Sequence, residues 1–235
     1  MKVLLKSVCA LSVMIITTAP VWATTNSTDL TVTGVISAAA CTPTFSGGGV
    51  VDYGIIGSNS LKETSYNLLP VKELTFSIAC EAKTRVAFKP VTARHEVVPN
   101  PGQQITNGYA WGPVGMLGYP TPSVTGIGVD QSGGVLGGMG MFIPNEDIVV
   151  DGKGGVRVLE DIGNGWNLKG AASPIHQRHS PDQRYSFSIG YADPIPFTNV
   201  SGLLKVQVFI NKASELDLAQ EVDLDGLVTF EMVYL

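Results

Sequence analysis

The stretch Val-Thr-Phe-Glu-Met-Val-Tyr at residues 228–234 decides the fold class. Apolar or aromatic side chains stand at every second position, Val228, Phe230, Met232 and Tyr234, and Thr229 and Glu231 fall between them. Successive side chains of a β-strand point to opposite faces, so this period of two predicts a strand with one buried face.

The same alternation recurs upstream, and helical periodicity is nearly absent. Further strands are predicted at residues 74–80, 86–88, 185–191 and 204–210. Clusters of glycine, proline, asparagine and aspartate separate them, as expected of turns. Only residues 213–221 are compatible with a short helical turn, and a loop fits them equally well. The pattern predicts an all-β sandwich.

The first residues have the composition of an export signal. Lys2 and Lys6 precede a short apolar run at residues 8–18, and Val21-Trp22-Ala23 offers a small-residue cleavage site. The run is too short for a stable membrane-spanning helix. We therefore interpret residues 1–23 as a signal peptide, and expect an exported protein.

The net charge and the length of the chain exclude some classes of function. The chain of 235 residues carries a net charge of −5, and residues 1–23 hold two lysines and no acids, so the remainder is more acidic still. An acidic surface has no electrostatic footprint for nucleic acid or anionic lipid. The remaining length suits one large β domain.

Cysteine usage fits the exported compartment. Cys9 lies in the signal peptide, which leaves the pair Cys41 and Cys80. An even pair in an exported chain predicts a disulfide.

The sequence predicts a strand at each end of the mature chain, and each of these strands needs a partner strand. At the N-terminus, Leu30, Val32, Gly34 and Ile36 define an alternating segment before the first cysteine. This segment is either the first strand of the domain or a strand that inserts into another molecule. The residues alone favour neither interpretation over the other. An uncovered C-terminal strand would be an aggregation hazard, so either a neighbouring strand or a partner protein must cover it.

These features together resemble the subunits of chaperone–usher fimbriae. The resemblance is carried by the segment Leu30–Cys41 with its glycine and small residues, by the Cys41–Cys80 separation, and by the penultimate Tyr234. The stretch Cys41–Gly54 and the ending from Val222 onward are similar to a group of uncharacterised fimbrial-like exported bacterial proteins. The chain is longer than a common rod pilin, and Gly226 lies nearer the end than the glycine usual in such subunits.

The resemblance implies an incomplete immunoglobulin-like β-sandwich that lacks its last strand. Residues 24–37 would be a donor-strand extension, with Leu30, Val32, Gly34 and Ile36 as its inserted face. Residues 38–235 would form the pilin-like sandwich, with long loop or hairpin insertions in residues 100–180. Val228, Phe230, Met232 and Tyr234 would line the edge that first a chaperone and then another subunit occupies.

The implied function is that of a structural subunit of a surface fimbria with a role in adhesion. The expected partners are a periplasmic chaperone, an outer-membrane usher, neighbouring subunits and a host glycan or protein receptor. The protein would pass through the periplasm to the cell surface. Major, minor and tip subunits all remain open.

Motifs for catalysis, cofactors or metals are not expected from the sequence. His176 and His179 share a loop, but no pattern supplies the further ligands that a site needs. The acidic residues at 146–161 fit no calcium-loop spacing, and a solvated face is the simpler interpretation. The glycine-rich stretch at residues 107–141 is not followed by a helix that could bind phosphate.

Two other functions compete with the structural subunit. A ligand-binding tip adhesin could use Trp111, Tyr119 and Trp166 as sugar-stacking platforms. A monomeric secreted carbohydrate-binding sandwich or enzyme would instead hold residues 30–36 permanently in its own sheet.

Overall fold

A computed structural model describes residues 28–35, 39–94, 109–120, 122–170, 172–176, 182–190 and 193–235. Fourteen strands make up its regular structure, together with five short 3₁₀ turns, and no α-helix occurs in these ranges. All pairings between these strands are antiparallel, and they form two sheets. The all-β sandwich expected from the sequence is confirmed.

The larger sheet has nine strands. Its main path runs in the order β1-β3-β13-β7-β6-β5, with β2 and β8 pairing with β13 and β11 pairing with β7. Their bounds are β1 Cys41–Phe45, β2 Asn67–Leu68, β3 Lys72–Thr84, β5 Tyr109–Trp111, β6 Ser123–Thr125, β7 Gly137–Pro144, β8 Val149–Val150, β11 Ala172–Pro174 and β13 Phe197–Ile210.

The smaller sheet has five strands in the order β10-β9-β12-β4-β14. Their bounds are β4 Val86–Thr92, β9 Arg157–Asp161, β10 Trp166–Leu168, β12 Arg184–Ser188 and β14 Val228–Tyr234. The 3₁₀ turns are Ser46–Gly49, Ser58–Ser60, Met116–Gly118, Asn145–Asp147 and Ala213–Glu215. The last of these lies where the sequence allowed a helical turn.

The two inner faces enclose one main core. The most deeply buried side chains are aromatic, with Tyr185, Phe187 and Phe197 each at most 1% exposed. Phe187 stacks with Phe76 and meets Phe197 edge to face. Large rings from both sheets therefore interdigitate at the centre of the sandwich, and burial of such rings dominates core energetics.

Part of the region predicted as long excursions belongs to the main sheet. Strand β7 pairs with β13 from Gly137 opposite Ile210 to Phe142 opposite Lys205, and Ile143 is fully buried. The glycines that made this stretch look like a loop allow close packing, because a Cβ on Gly140 would press against Leu117 and Met116. Glycine content thus concealed a central strand.

Residues 28–35 fall in a different unit from the sandwich. They form neither helix nor strand, and the side chains of Leu30, Val32 and Val35 are 91%, 88% and 93% exposed. No atom lies within 4 Å of the position that a Cβ on Gly34 would take. The strand predicted at residues 30–36 is not formed over its described part, and Ile36 lies outside the described residues.

Candidate functional site: the open side between the first and last strands

Strand β14 forms one edge of the smaller sheet. Within the described residues it pairs with β4 alone, from Val228 opposite Thr92 to Tyr234 opposite Val86. An edge strand presents unpaired backbone groups along its free side and is a template for another strand.

The register shows which backbone groups of β14 have no strand partner among the described residues. Just before the strand, the Ala93 N–H donates to the Leu227 carbonyl, 3.0 Å apart, and just after it the Leu235 N–H donates to the Arg85 carbonyl, 3.1 Å apart. Residues alternate in antiparallel ladders, so odd-numbered residues of β14 bond to β4. The N–H and C=O groups of Val228, Phe230, Met232 and Tyr234 therefore point to the open side.

These even-numbered residues also face the interior. Val228, Phe230 and Met232 pack against the main core, yet each is only partly buried, and Tyr234 is 44% exposed. Phe88, on the neighbouring β4, is 2% exposed and stacks on Phe230 with ring centroids 5.5 Å apart. The hydrophobic core is therefore only partly covered at β14.

Strand β1 is the facing edge, in the larger sheet. It pairs with β3, where Cys41 lies opposite Cys80 and a disulfide joins the two residues, as predicted. Because the Glu81 N–H donates to the Ala40 carbonyl, the backbone groups of Cys41, Pro43 and Phe45 face away from β3. Pro43 has no N–H to offer on that side.

An apolar cavity lies between the two edges. Its volume is about 10 Å³, which is room for no more than about one water molecule. The apolar residues that line it come from both sheets and include Pro43, Phe45, Ile78, Phe88, Ile143 and Phe230. Partly buried core side chains, a free backbone edge and a small apolar cavity coincide on this side of the sandwich.

Side chains bridge the opening in place of a backbone ladder. The Tyr234 hydroxyl accepts a hydrogen bond from the Cys41 N–H at 2.8 Å. Further along, Phe45 and Phe230 meet edge to face with ring centroids 5.0 Å apart. Since Cys41 pairs with Tyr234 and Phe45 with Phe230, β1 and β14 run in opposite directions across the opening.

The segment that leads into β14 is held by two carboxylates. Asp130, which is 4% exposed, accepts hydrogen bonds from the Asp217 N–H and from Ser132 and Gly134. These bonds, the one from Asp217 foremost, lower the pKa of Asp130 to about 2. Asp225 binds Arg94 at the end of β4. The start of β14 is therefore fixed in place.

The predicted acceptor residues are brought together by the structure. The residues Val228, Phe230, Met232 and Tyr234 line the edge of β14 described above. The predicted donor residues Leu30, Val32 and Gly34 lie in the separate unit, and Ile36 is outside the described residues.

Two of the three candidate sugar platforms contact other side chains. The guanidinium of Arg184 lies 5.4 Å from the ring centre of Trp166, and Tyr119 meets Phe142 edge to face. Trp111 is on β5 and Trp166 on β10, in different sheets. Among the described residues, no ring contact joins the three.

A buried polar network near β9 was missed by sequence reasoning. The side chain of Gln183 is fully buried and donates to both Glu160 and Tyr185, and Lys169 pairs with Glu160 at 2.7 Å. Burial raises the pKa of Tyr185 well above its usual value. The expectation of a solvated acidic face is wrong for Glu160 and for Asp161, which is 5% exposed and bound by Arg184. No sequence signal marks partners so far apart in the chain.

Metal-binding residues do not converge in the described ranges. No group of three histidine, cysteine, aspartate or glutamate side chains with ligand-like placement is found there. His176 is buried, whereas His179 is outside the described residues. The described residues include no helix of the length and apolar character needed to cross a membrane.

Comparison with known proteins finds a family model and distant relatives. Residues 30–106 match the model of a family of proteins of unknown function, DUF1120. The chain is 26% identical over 224 residues to the uncharacterised protein YhcF of Escherichia coli K12, covering 89% of this chain and 90% of YhcF. It is 27% identical over 238 residues to protein GltF of the same organism, covering 90% of each. No solved structure gives a significant match. The match to the family model takes in β1, the disulfide, β3 and β4, together with the exposed segment that precedes them.

Proposed function

We propose that this protein is a structural subunit of a surface fimbria that assembles by strand exchange and thereby contributes to adhesion. The observation that carries the proposal is the open side of the sandwich. Among the described residues β14 there pairs on one side only, and its partly buried core side chains lie beside a small apolar cavity. A strand added from outside would satisfy all three.

The N-terminal segment of a second copy has the chemistry of such a strand. Its apolar residues Leu30, Val32 and Ile36 recur with period two, and those described are exposed. Backbone hydrogen bonds would bind it to the edge, and alternate side chains would fill the groove. Burial of three aliphatic side chains contributes about 5–9 kcal/mol before the cost of ordering the segment.

A protein with this edge needs protection before it assembles. Uncovered edge strands with apolar faces pair with one another and aggregate. The proposal therefore includes a periplasmic chaperone that covers β14 in transit, an outer-membrane usher and neighbouring subunits as partners. A host glycan or protein receptor would be the target of the finished fibre.

Substitution at Gly34 tests the proposal. In the isolated chain a Cβ at Gly34 or at Gly154 would meet no atom within 4 Å, so we expect leucine at either position to be tolerated by the fold. Gly34→Leu is expected to abolish the formation of multimers that resist mild denaturant, because a bulky residue enters the groove where a glycine fits. Gly154→Leu is the matched control and should assemble like the unaltered protein.

Size-exclusion chromatography with light scattering would follow the assembly. Equal multimer formation by both variants would count against insertion of residues 30–36. The fimbrial proposal would be contradicted if the unaltered chain and both variants stay monomeric at high concentration. The same holds if they stay monomeric after a chaperone has been supplied and then removed.

A further inference from the structure

We infer that the isolated chain holds its own acceptor groove shut, and that the hydroxyl of Tyr234 is the latch. This inference rests on the proposed strand exchange and adds a control over it. The groove in question is the opening between the facing edges of β1 and β14.

The Tyr234 hydroxyl accepts a hydrogen bond from a backbone N–H that would otherwise need an added strand as its partner. The Cys41 N–H lies on the open edge of β1, and Cys41 is 9% exposed. A buried backbone N–H needs a partner within the protein or an ordered water. In a completed sheet the carbonyl of an inserted strand would be that partner. Here the Tyr234 hydroxyl takes its place at 2.8 Å.

A ring contact closes the same opening further along. Phe45 and Phe230 lie across it from one another, edge to face, and both belong to the sets of residues whose backbone faces the open side. The two edge strands are thus joined at two places, separated by four residues on either strand, once through the Cys41 N–H and once through the Phe45 ring.

In the closed state of the isolated chain, the opening between β1 and β14 is too narrow to admit a strand. At their closest, Cα atoms of β1 and β14 come within 8 Å of each other. A strand between them needs about twice the usual interstrand spacing, roughly 9.5 Å. Insertion therefore requires the two edges to separate and both side-chain bridges to break.

Loss of the Tyr234 hydroxyl destabilises only the closed state. When a strand enters, its carbonyl can accept from the Cys41 N–H and the displaced hydroxyl can turn to water. A protein that binds only from its open state has an apparent affinity reduced by the open fraction. Since a net hydrogen bond changes an equilibrium constant about two- to tenfold, its removal should raise strand affinity by that factor.

The test uses the intact chain and a labelled peptide of residues 28–38 in excess. Tyr234→Phe removes the hydroxyl and keeps the ring, and we expect it to bind the peptide about two to ten times more tightly, with faster association, by fluorescence anisotropy. Tyr53→Phe is the control, because its hydroxyl bonds to the Val206 carbonyl at 3.5 Å, away from the opening. It should bind like the unaltered chain.

A second readout separates a latch from a general loss of structure. Exchange of the Cys41 amide hydrogen, followed by NMR, should accelerate in Tyr234→Phe while amides of β12 keep their protection. Equal or weaker peptide binding by Tyr234→Phe, or unchanged Cys41 exchange, would overturn the latch. If the unaltered chain and both variants all fail to bind the peptide, the strand-exchange proposal itself is overturned.

Discussion

Arg94 Nε lies 3.0 Å from both the carbonyl oxygen and the carboxylate Oδ2 of Asp225. The pair joins the residue two positions after β4 to the residue three positions before β14. The free edge of the sandwich therefore begins at an anchored point, which fixes the register of β14 on β4.

Asp225→Asn is expected to lower the free energy of unfolding by about 1 kcal/mol. The side chains of Arg94 and Asp225 are 32% and 60% exposed, so solvent screens most of the attraction. Urea denaturation at low and high salt would measure the loss, which should shrink as salt rises. Glu215→Gln, which breaks the exposed Lys212–Glu215 pair, is the control and should cost less. A loss independent of salt would contradict an ion-pair origin.

Gly137→Ala is expected to destabilise the protein by more than about 3 kcal/mol, or to prevent folding. Its φ of +148° is one that side chains rarely adopt, and a Cβ would overlap the Phe209 carbonyl oxygen on the adjacent β13. Gly154→Ala, with open space around it, should change stability by less than about 0.5 kcal/mol. Thermal unfolding of both variants would compare them, and similar melting temperatures would contradict the packing argument.

Strands with one buried face could be predicted from the sequence, whereas β7, next to β13 in the larger sheet, could not. Strands β3, β13 and β14 show clear alternation because one face of each meets the core. Strand β7 is buried on nearly every residue and carries three glycines, so no period of two survives. The strand at residues 228–234 was predicted from its alternation, and the acceptor role given to its even-numbered residues stays a prediction. The bridges from Tyr234 to Cys41 and from Phe230 to Phe45 join residues some 190 positions apart, which no local pattern encodes.

Acid should weaken the sandwich through Asp130. Its pKa is lowered to about 2 in the folded protein, so its contribution is present above the unfolded value near 4 and is lost as the pH falls toward 2. Asp130→Asn should flatten the fall in stability across that window and cost about 2 kcal/mol at neutral pH, since charge-assisted hydrogen bonds are lost. Urea denaturation from pH 2 to 7 would measure both effects, with Asp193→Asn as a control of equal charge change. An unaltered pH profile would contradict the role given to Asp130.

Removal of the disulfide should destabilise the edge at β1. Cys41 and Cys80 are 39 residues apart, and closing a loop of this length stabilises a fold by up to about 4 kcal/mol. The double variant Cys41→Ala with Cys80→Ala is expected to lose about 2–4 kcal/mol in urea denaturation. Reduction of the unaltered protein serves as the control and should give a similar loss. A change below about 1 kcal/mol in both would show that the β1–β3 ladder holds without the bond.

Phe230→Ala is expected to weaken assembly more than it lowers the stability of the monomer. Phe187 is 1% exposed at the centre of the core, and its truncation should cost about 3–5 kcal/mol. Phe230 is only partly buried in the isolated chain, so Phe230→Ala should cost about half as much in urea denaturation. In an assembled fibre an inserted strand would cover this ring completely, and its loss should then weaken strand binding at least tenfold. Equal costs for the two variants in the monomer would show that the sandwich is already closed at β14, and there would be no groove to fill.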